Sequence, residues 1–234
     1  MDLIDDEIFD IKFFNGQTYL LKTCKISSVD IESAVKALPY SGERLQKDEL
    51  VEKSLLPPFI LAFYKFLFEK NSIPTEDELC EYYLNNYYIV DDNGKCKVKK
   101  SAKYYSQDRE FNITGIKARL LRSYPSLIRD FHFFQLCTES KYFAKVVYSL
   151  NIDYYDGYDL IIDYNSKKYA VALFIKTNRG RFYKNQKINR HSHINDYIEV
   201  SLSIDKTTCR KVGNFYLYTA KHVNELLKQL QSQK

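Results

Sequence analysis

Tryptophan is absent from the 234 residues, glycine occurs 7 times, proline 5 times and methionine once. Set beside 21 tyrosines and 15 phenylalanines, this bias is what an AT-rich coding genome produces. The aromatic count alone therefore carries no functional weight. The five cysteines, Cys24, Cys80, Cys96, Cys137 and Cys209, are widely spaced and never form a CxxC pair. That spacing excludes a disulfide framework and a structural zinc site, and reduced structural thiols are expected.

No uncharged apolar run approaches the roughly 18 residues of a membrane-spanning helix. Residues 1 to 10 are acidic rather than basic followed by apolar, so a secretory signal is not expected and a cytoplasmic protein is. Walker-type loops and the patterns GxGxxG, GxSxG and HExxH are missing, which removes support for nucleotide hydrolysis and for serine or zinc hydrolysis. What is present is a 45% hydrophobic composition, ample for a packed core.

The net charge of +5 conceals a segregation along the chain. Residues 1 to 94 hold 9 Lys/Arg against 18 Asp/Glu, residues 95 to 129 hold 10 against 2, and residues 176 to 191 hold 6 against none. Two basic runs opposite an acidic N-terminal third point to a polyanionic partner, nucleic-acid phosphates above all.

The pattern of apolar residues predicts an α+β protein: a mixed sheet flanked by helices, preceded by a mainly helical, acidic N-terminal domain. Asn15-Gly16 signals a hairpin between residues 7 and 23. A helix is expected over 28 to 38 with Ser28 or Asp30 as cap, then a helical hairpin over 55 to 86, broken at 71 to 74. Its second helix opens on a Thr75/Glu78 capping box. Residues 90 to 108, with five lysines between 95 and 103, read as a turn and a mobile basic connector, placing a domain boundary near 105. Helices follow over 113 to 121 and 126 to 150, parted by Pro125. Strands are expected over 159 to 164, 169 to 176, 197 to 204 and 215 to 219, with a tight turn at 165 to 168 and a closing helix over 221 to 231.

Glu139 on the second helix, Asp159 at a strand start and Lys176 at the end of the paired strand stand out. If the turn lies at 165 to 168, Asp159 and Lys176 face each other across the open end of the hairpin, with Glu139 above. Two carboxylates and a lysine so placed hold Mg²⁺ and position a water beside a phosphate. The segments TES (138 to 140), GYDLIID (157 to 163) and ALFIKT (172 to 177) resemble the PD-(D/E)XK nuclease superfamily over roughly residues 126 to 231. The resemblance implies a restriction-endonuclease-like core and a Mg²⁺-dependent DNA endonuclease of a restriction, phage-defence or mobile-element system. Glu139 and Asp159 would then bind the metal and Lys176 would orient water or stabilise charge.

Phe174 departs from that pattern, standing where Asp, Glu or Gln is expected. Phe cannot bind a metal, so either Asp163 or Glu139 supplies the missing ligand or the site is inactive. Lys176 also opens the basic segment, in which Lys184, Lys187, Arg190 and His191 fall at spacings of three and four, one stripe if helical. Arg179, Arg181, Lys184, Lys187, Arg190 and His191 form a rail for phosphates, and Arg122 and Arg129 are expected to contact DNA from the helical side. Two other readings remain at this point. One is a catalytically inactive nuclease-like DNA-binding subunit. The other is an interaction module whose acidic and basic surfaces dock protein partners or a second copy.

Overall fold

The computed structural model describes residues 26–100, 108–148, 153, 157–176 and 197–233. The expected hairpin around Asn15-Gly16, part of the basic connector and the whole phosphate rail from Arg179 to His191 lie outside the described residues.

The N-terminal part is helical. Helix α1 (Ser28–Ala37) is capped by Ser27, one residue earlier than expected: Ser27 Oγ accepts from Asp30 N–H at 3.1 Å and Asp30 accepts from Ser27 N–H at 2.9 Å. A 3₁₀ turn (Gly42–Arg44) leads to the short α2 (Glu49–Lys53), then α3 (Phe59–Lys70) and α4 (Glu76–Tyr87). The last two form the expected helical hairpin, with Asn71 left-handed at the end of α3 and the Thr75/Glu78 box opening α4. Buried tyrosines tie this unit to backbone carbonyls: Tyr83 donates to Pro57 O at 2.6 Å, and Tyr124 donates to Pro74 O.

Between 88 and 112 the expected connector contains a small antiparallel sheet, β1 (Tyr88–Val90), β2 (Lys95–Val98) and β3 (Glu110–Asn112), in the order β1-β2-β3. Strand β2 buries only Cys96 and Val98 between lysines. Two apolar positions are too short an alternation to register as a strand among so many lysines.

A second correction concerns Pro125. Instead of two helices there is one, α5 (Ile113–Ser140), with Pro125 inside it. Proline removes the hydrogen bond that would reach the carbonyl of Leu121, four residues back. Ser123 and Ser126 hydroxyls donate to the nearby carbonyls of Leu120 and Ser123 at 2.7 and 2.6 Å. The freed Leu121 carbonyl is met by the 3₁₀ turn: a Cβ on Gly42 would lie 2.5 Å from it. Only glycine fits there, so the turn can close on the helix at the point where the ladder is interrupted.

Helix α5 stops at Ser140, with Lys141 left-handed, rather than running to 150. Phe143 and Val147, read as a helical face, belong to the approach to strand β4 (Lys145–Val147) and to that strand. The main sheet is β4, β5 (Leu160–Tyr164), β6 (Lys167–Ile175) and β7 (Ile198–Ile204), in that order. The first two pairings are antiparallel and β6–β7 is parallel. Asn165 and Ser166, both with positive φ, form the tight β5–β6 turn, whose twist matches that of the strands. The strand expected over 215 to 219 is β9 (Phe215–Leu217), and it pairs with β8 (Arg210–Val212) in a separate hairpin. Helix α6 (Ala220–Ser232) closes the chain, with Thr219 N–H donating to His222 Nδ1 at 2.9 Å.

One buried core runs from Ile26 to Leu230 and joins residues on both sides of position 105. Helix α5 lies at its centre, packed against α1, α2, α3, α4, α6, β3, β4 and β9. No described helix is long and apolar enough to cross a membrane.

Two outcomes follow from this packing. Gly42→Ala pushes a methyl group into backbone atoms that cannot swing aside, and is expected to cost about 1–3 kcal/mol of unfolding free energy in urea melts. His132 is fully buried between α5 and α1, with Nε2 3.2 Å from Glu32 Oε1. Burial pulls its pKa from 6.5 down to about 4, against an opposing contribution from Glu139. The unfolded chain therefore takes up a proton that the folded one refuses. Stability should fall as pH drops from 6.5 towards 4, by up to about 3 kcal/mol, and urea melts of His132→Asn should lack that component.

Candidate nucleic-acid interface

Asp159 stands where β5 parts from its neighbour. Leu160 pairs with Val171, yet Asp159 N–H donates to the Val171 carbonyl at 2.8 Å. The chain is thus one residue out of step with the ladder, as in a bulge. The next β5-facing donor of β6, Leu173 N–H, meets no backbone acceptor there, and Asp159 Oδ2 takes it at 2.6 Å. A carboxylate completes the sheet where the backbone has left it.

Lys176 lies at the same end but not opposite Asp159. It comes three residues beyond Leu173, about 10 Å further along β6. Its N–H continues the parallel ladder to Ile204 O at 2.8 Å, and its side chain is exposed. The neighbouring strand continues into Asp205, an acid for which the sequence carried no signal. Asp205 caps the 3₁₀ turn Lys206–Thr208, accepting from Thr207 N–H at 2.9 Å and from Thr207 Oγ1 at 2.7 Å. Those two bonds, assisted by the charge of Lys176, hold its carboxyl below the ordinary carboxylate range.

The other acids are engaged elsewhere. Both oxygens of Glu139 serve the start of α1: Oε1 accepts from Ser28 N–H at 2.8 Å and Oε2 from the Ser28 hydroxyl. A carboxylate on the first N–H groups of a helix also meets the positive end of its dipole. Asp163 stands in register between Lys145 of β4 and Lys168 of β6. It is four residues from Asp159, about 13 Å along the strand, whereas oxygens sharing one Mg²⁺ lie about 2 Å from it. The bulge at Asp159 interrupts the alternation that would put it on the face of Asp163, and distance keeps the two from one ion. Among the described residues no group of three His, Cys, Asp or Glu is gathered. Glu139, Asp159 and Asp163 thus do not come together as one metal-binding group among the described residues. Phe174 points away from the main core side of β6 and is half-buried.

Of the cations, Arg122 is spent within the fold, in an ion pair with Glu52 and a 3.4 Å bond to Leu45 O. Arg129 is held differently: its guanidinium carbon lies 5.4 Å from the ring centroid of Tyr218, just after β9. Burial pushes the Tyr218 hydroxyl well above its ordinary pKa. Arg129 opposes this, and the carboxylates of Asp130 and Asp159 add to it. Tyr218, for which the sequence carried no signal beyond one tyrosine among 21, is thus the aromatic neighbour of Arg129. Arg179, Arg181, Lys184, Lys187, Arg190 and His191 lie outside the described residues.

Comparison of the chain with protein-family models, with curated proteins and with solved structures returns no match.

The role of Glu139 can be checked directly. Glu139→Ala should remove about 1 kcal/mol of stability, as for loss of a helix cap. The loss measured in urea should be the same with and without Mg²⁺.

Proposed function

We propose that this protein binds nucleic acid, DNA favoured, at the Lys176 end of its four-stranded sheet, on a core of PD-(D/E)XK type that holds phosphodiesters without cutting them. The observation that carries this reading is the position of Lys176. It is the first of six cations, with no acid among them, between 176 and 191. It also sits exposed at the end of the strand from which that segment departs. The order of elements supports the core assignment: a long helix, an antiparallel hairpin carrying Asp159 and then Lys176, and a further strand and helix.

The binding-only form follows from chemistry. Phe174 offers no ligand, and both oxygens of Glu139 are bound to Ser28. Phosphate contacts by Lys and Arg give affinity and salt sensitivity without reading bases.

A labelled duplex of about 30 base pairs, titrated between about 50 and 200 mM salt, tests this. Binding should weaken steeply with salt. Lys184→Gln, Lys187→Gln and Arg190→Gln together should cut affinity at least about tenfold and lower the log–log salt slope by roughly 2 to 3. Unchanged affinity in that triple variant sinks the proposal. Plasmid DNA should survive incubation with Mg²⁺ or Mn²⁺. Cleavage that disappears in Asp159→Ala and in Lys176→Ala would instead establish an endonuclease.

A further inference from the structure

Three arginines of α5 have little access to water, and two show what a satisfied guanidinium looks like. Arg119 donates to the carbonyls of Val51 and Ser54, the latter at 2.9 Å, and Arg122 is paired with Glu52. Arg129 is the exception. Its side chain is only 17% exposed, yet among the described residues its nearest carboxylate is that of the adjoining Asp130, 3.6 Å from Nε. That exceeds the 2.7–2.9 Å of a charge-assisted hydrogen bond. Its Nε has no hydrogen-bond partner among the described residues, while the guanidinium and the Tyr218 hydroxyl lie near enough to stabilise one another.

Arginine cannot shed its proton to escape this situation. A guanidinium largely removed from water with its Nε unpaired is better accommodated when an anion engages it. The planar guanidinium lies over the ring of Tyr218, which is itself packed against Phe133, edge-on at 5.0 Å, and His222 at 5.6 Å. A planar fork of donors held rigidly on an aromatic face matches two oxygens of one phosphate.

From this geometry we infer that Arg129, oriented by Tyr218, is a phosphate-binding residue that grips one backbone phosphate of the nucleic acid from the α5 side of the sheet end. The inference rests on the nucleic-acid reading above and deepens it. It assigns a specific contact to a residue far in sequence from the basic segment. Helix α5, which carries Arg129, packs against β4 of the same sheet.

The test compares wild type with Arg129→Met and Arg129→Lys. Arg129→Met should leave the free protein at least as heat-stable as wild type, because it removes a poorly compensated charge. It should nevertheless weaken duplex binding about tenfold or more and lower the salt slope by about one. Arg129→Lys keeps the charge without the fork and should fall between the two. Duplex affinity within twofold of wild type in Arg129→Met overturns the inference. So does a clear drop of the melting midpoint in both variants, which would make Arg129 a structural residue.

A second arm separates this inference from the reading beneath it. Inorganic phosphate at about 10 mM, against chloride of equal ionic strength, should raise the wild-type midpoint but not that of Arg129→Met. If wild type binds no duplex yet shows this phosphate effect, the anion site stands while the nucleic-acid reading fails. If wild type binds duplex and Arg129→Met binds equally well, the reading stands and the Arg129 contact fails.

Discussion

Burial of α5 is the constraint on which the remaining structure depends. A proline inside a helix costs about 3 kcal/mol, and residues of the type of Leu120, Ile128 and Phe131, all fully buried, each return about 1.5–3 kcal/mol. Three such positions on either side of Pro125 outweigh the break, so the helix continues through it. Because it continues, one rigid element reaches from the small sheet at β3 to the main sheet at β4. Residues far apart in sequence then share its surface. The glycine that closes on the interrupted ladder, Gly42, belongs to a different segment altogether.

Around that helix, polar groups are used first to complete secondary structure. Asp159 replaces a missing strand acceptor, Glu139 satisfies the start of α1, and Asp205 caps a 3₁₀ turn. Each meets a backbone N–H that would otherwise be left without a partner, a cost that carboxylates are well suited to remove. Glu139 is held by its two bonds at the start of α1 rather than gathered with other acids. This is why residue types that match a metal centre in sequence do not assemble one among the described residues. The cations divide in the same way. Arg119 and Arg122 are consumed by the fold, whereas Arg129 lies over an aromatic ring with its Nε unpaired among the described residues.

The fold class was legible in the sequence, and the reasons are local. Helices α3 and α4 announce themselves by a continuous apolar face and by the Thr75/Glu78 box. The β5–β6 hairpin is marked by Asn165-Ser166, residues that tolerate the left-handed conformation. Helix α1, strand β7 and helix α6 lie within a few residues of where periodicity puts them. In each case the signal lies within one turn or one short alternation of the residue it predicts.

Misreadings arose wherever a distant segment outvotes the local pattern. Pro125 looks like a helix boundary until the burial of its neighbours and the approach of Gly42 are known. Phe143 and Val147 continue a helical spacing but pack in and beside an edge strand. Cys96 and Val98 are too few to betray a sheet. Glu139 looks like a metal ligand because nothing near it in sequence points to Ser28, more than a hundred residues away. From its residues alone the chain determined its class, its main helices, its hairpin and the segregation of its charge, since propensity, capping and turn chemistry act over a few residues. Tertiary structure decided the continuity of α5, the parallel pairing of β6 with β7 and which charges remain free. Those outcomes depend on burial and on partners that only folding brings within hydrogen-bonding distance.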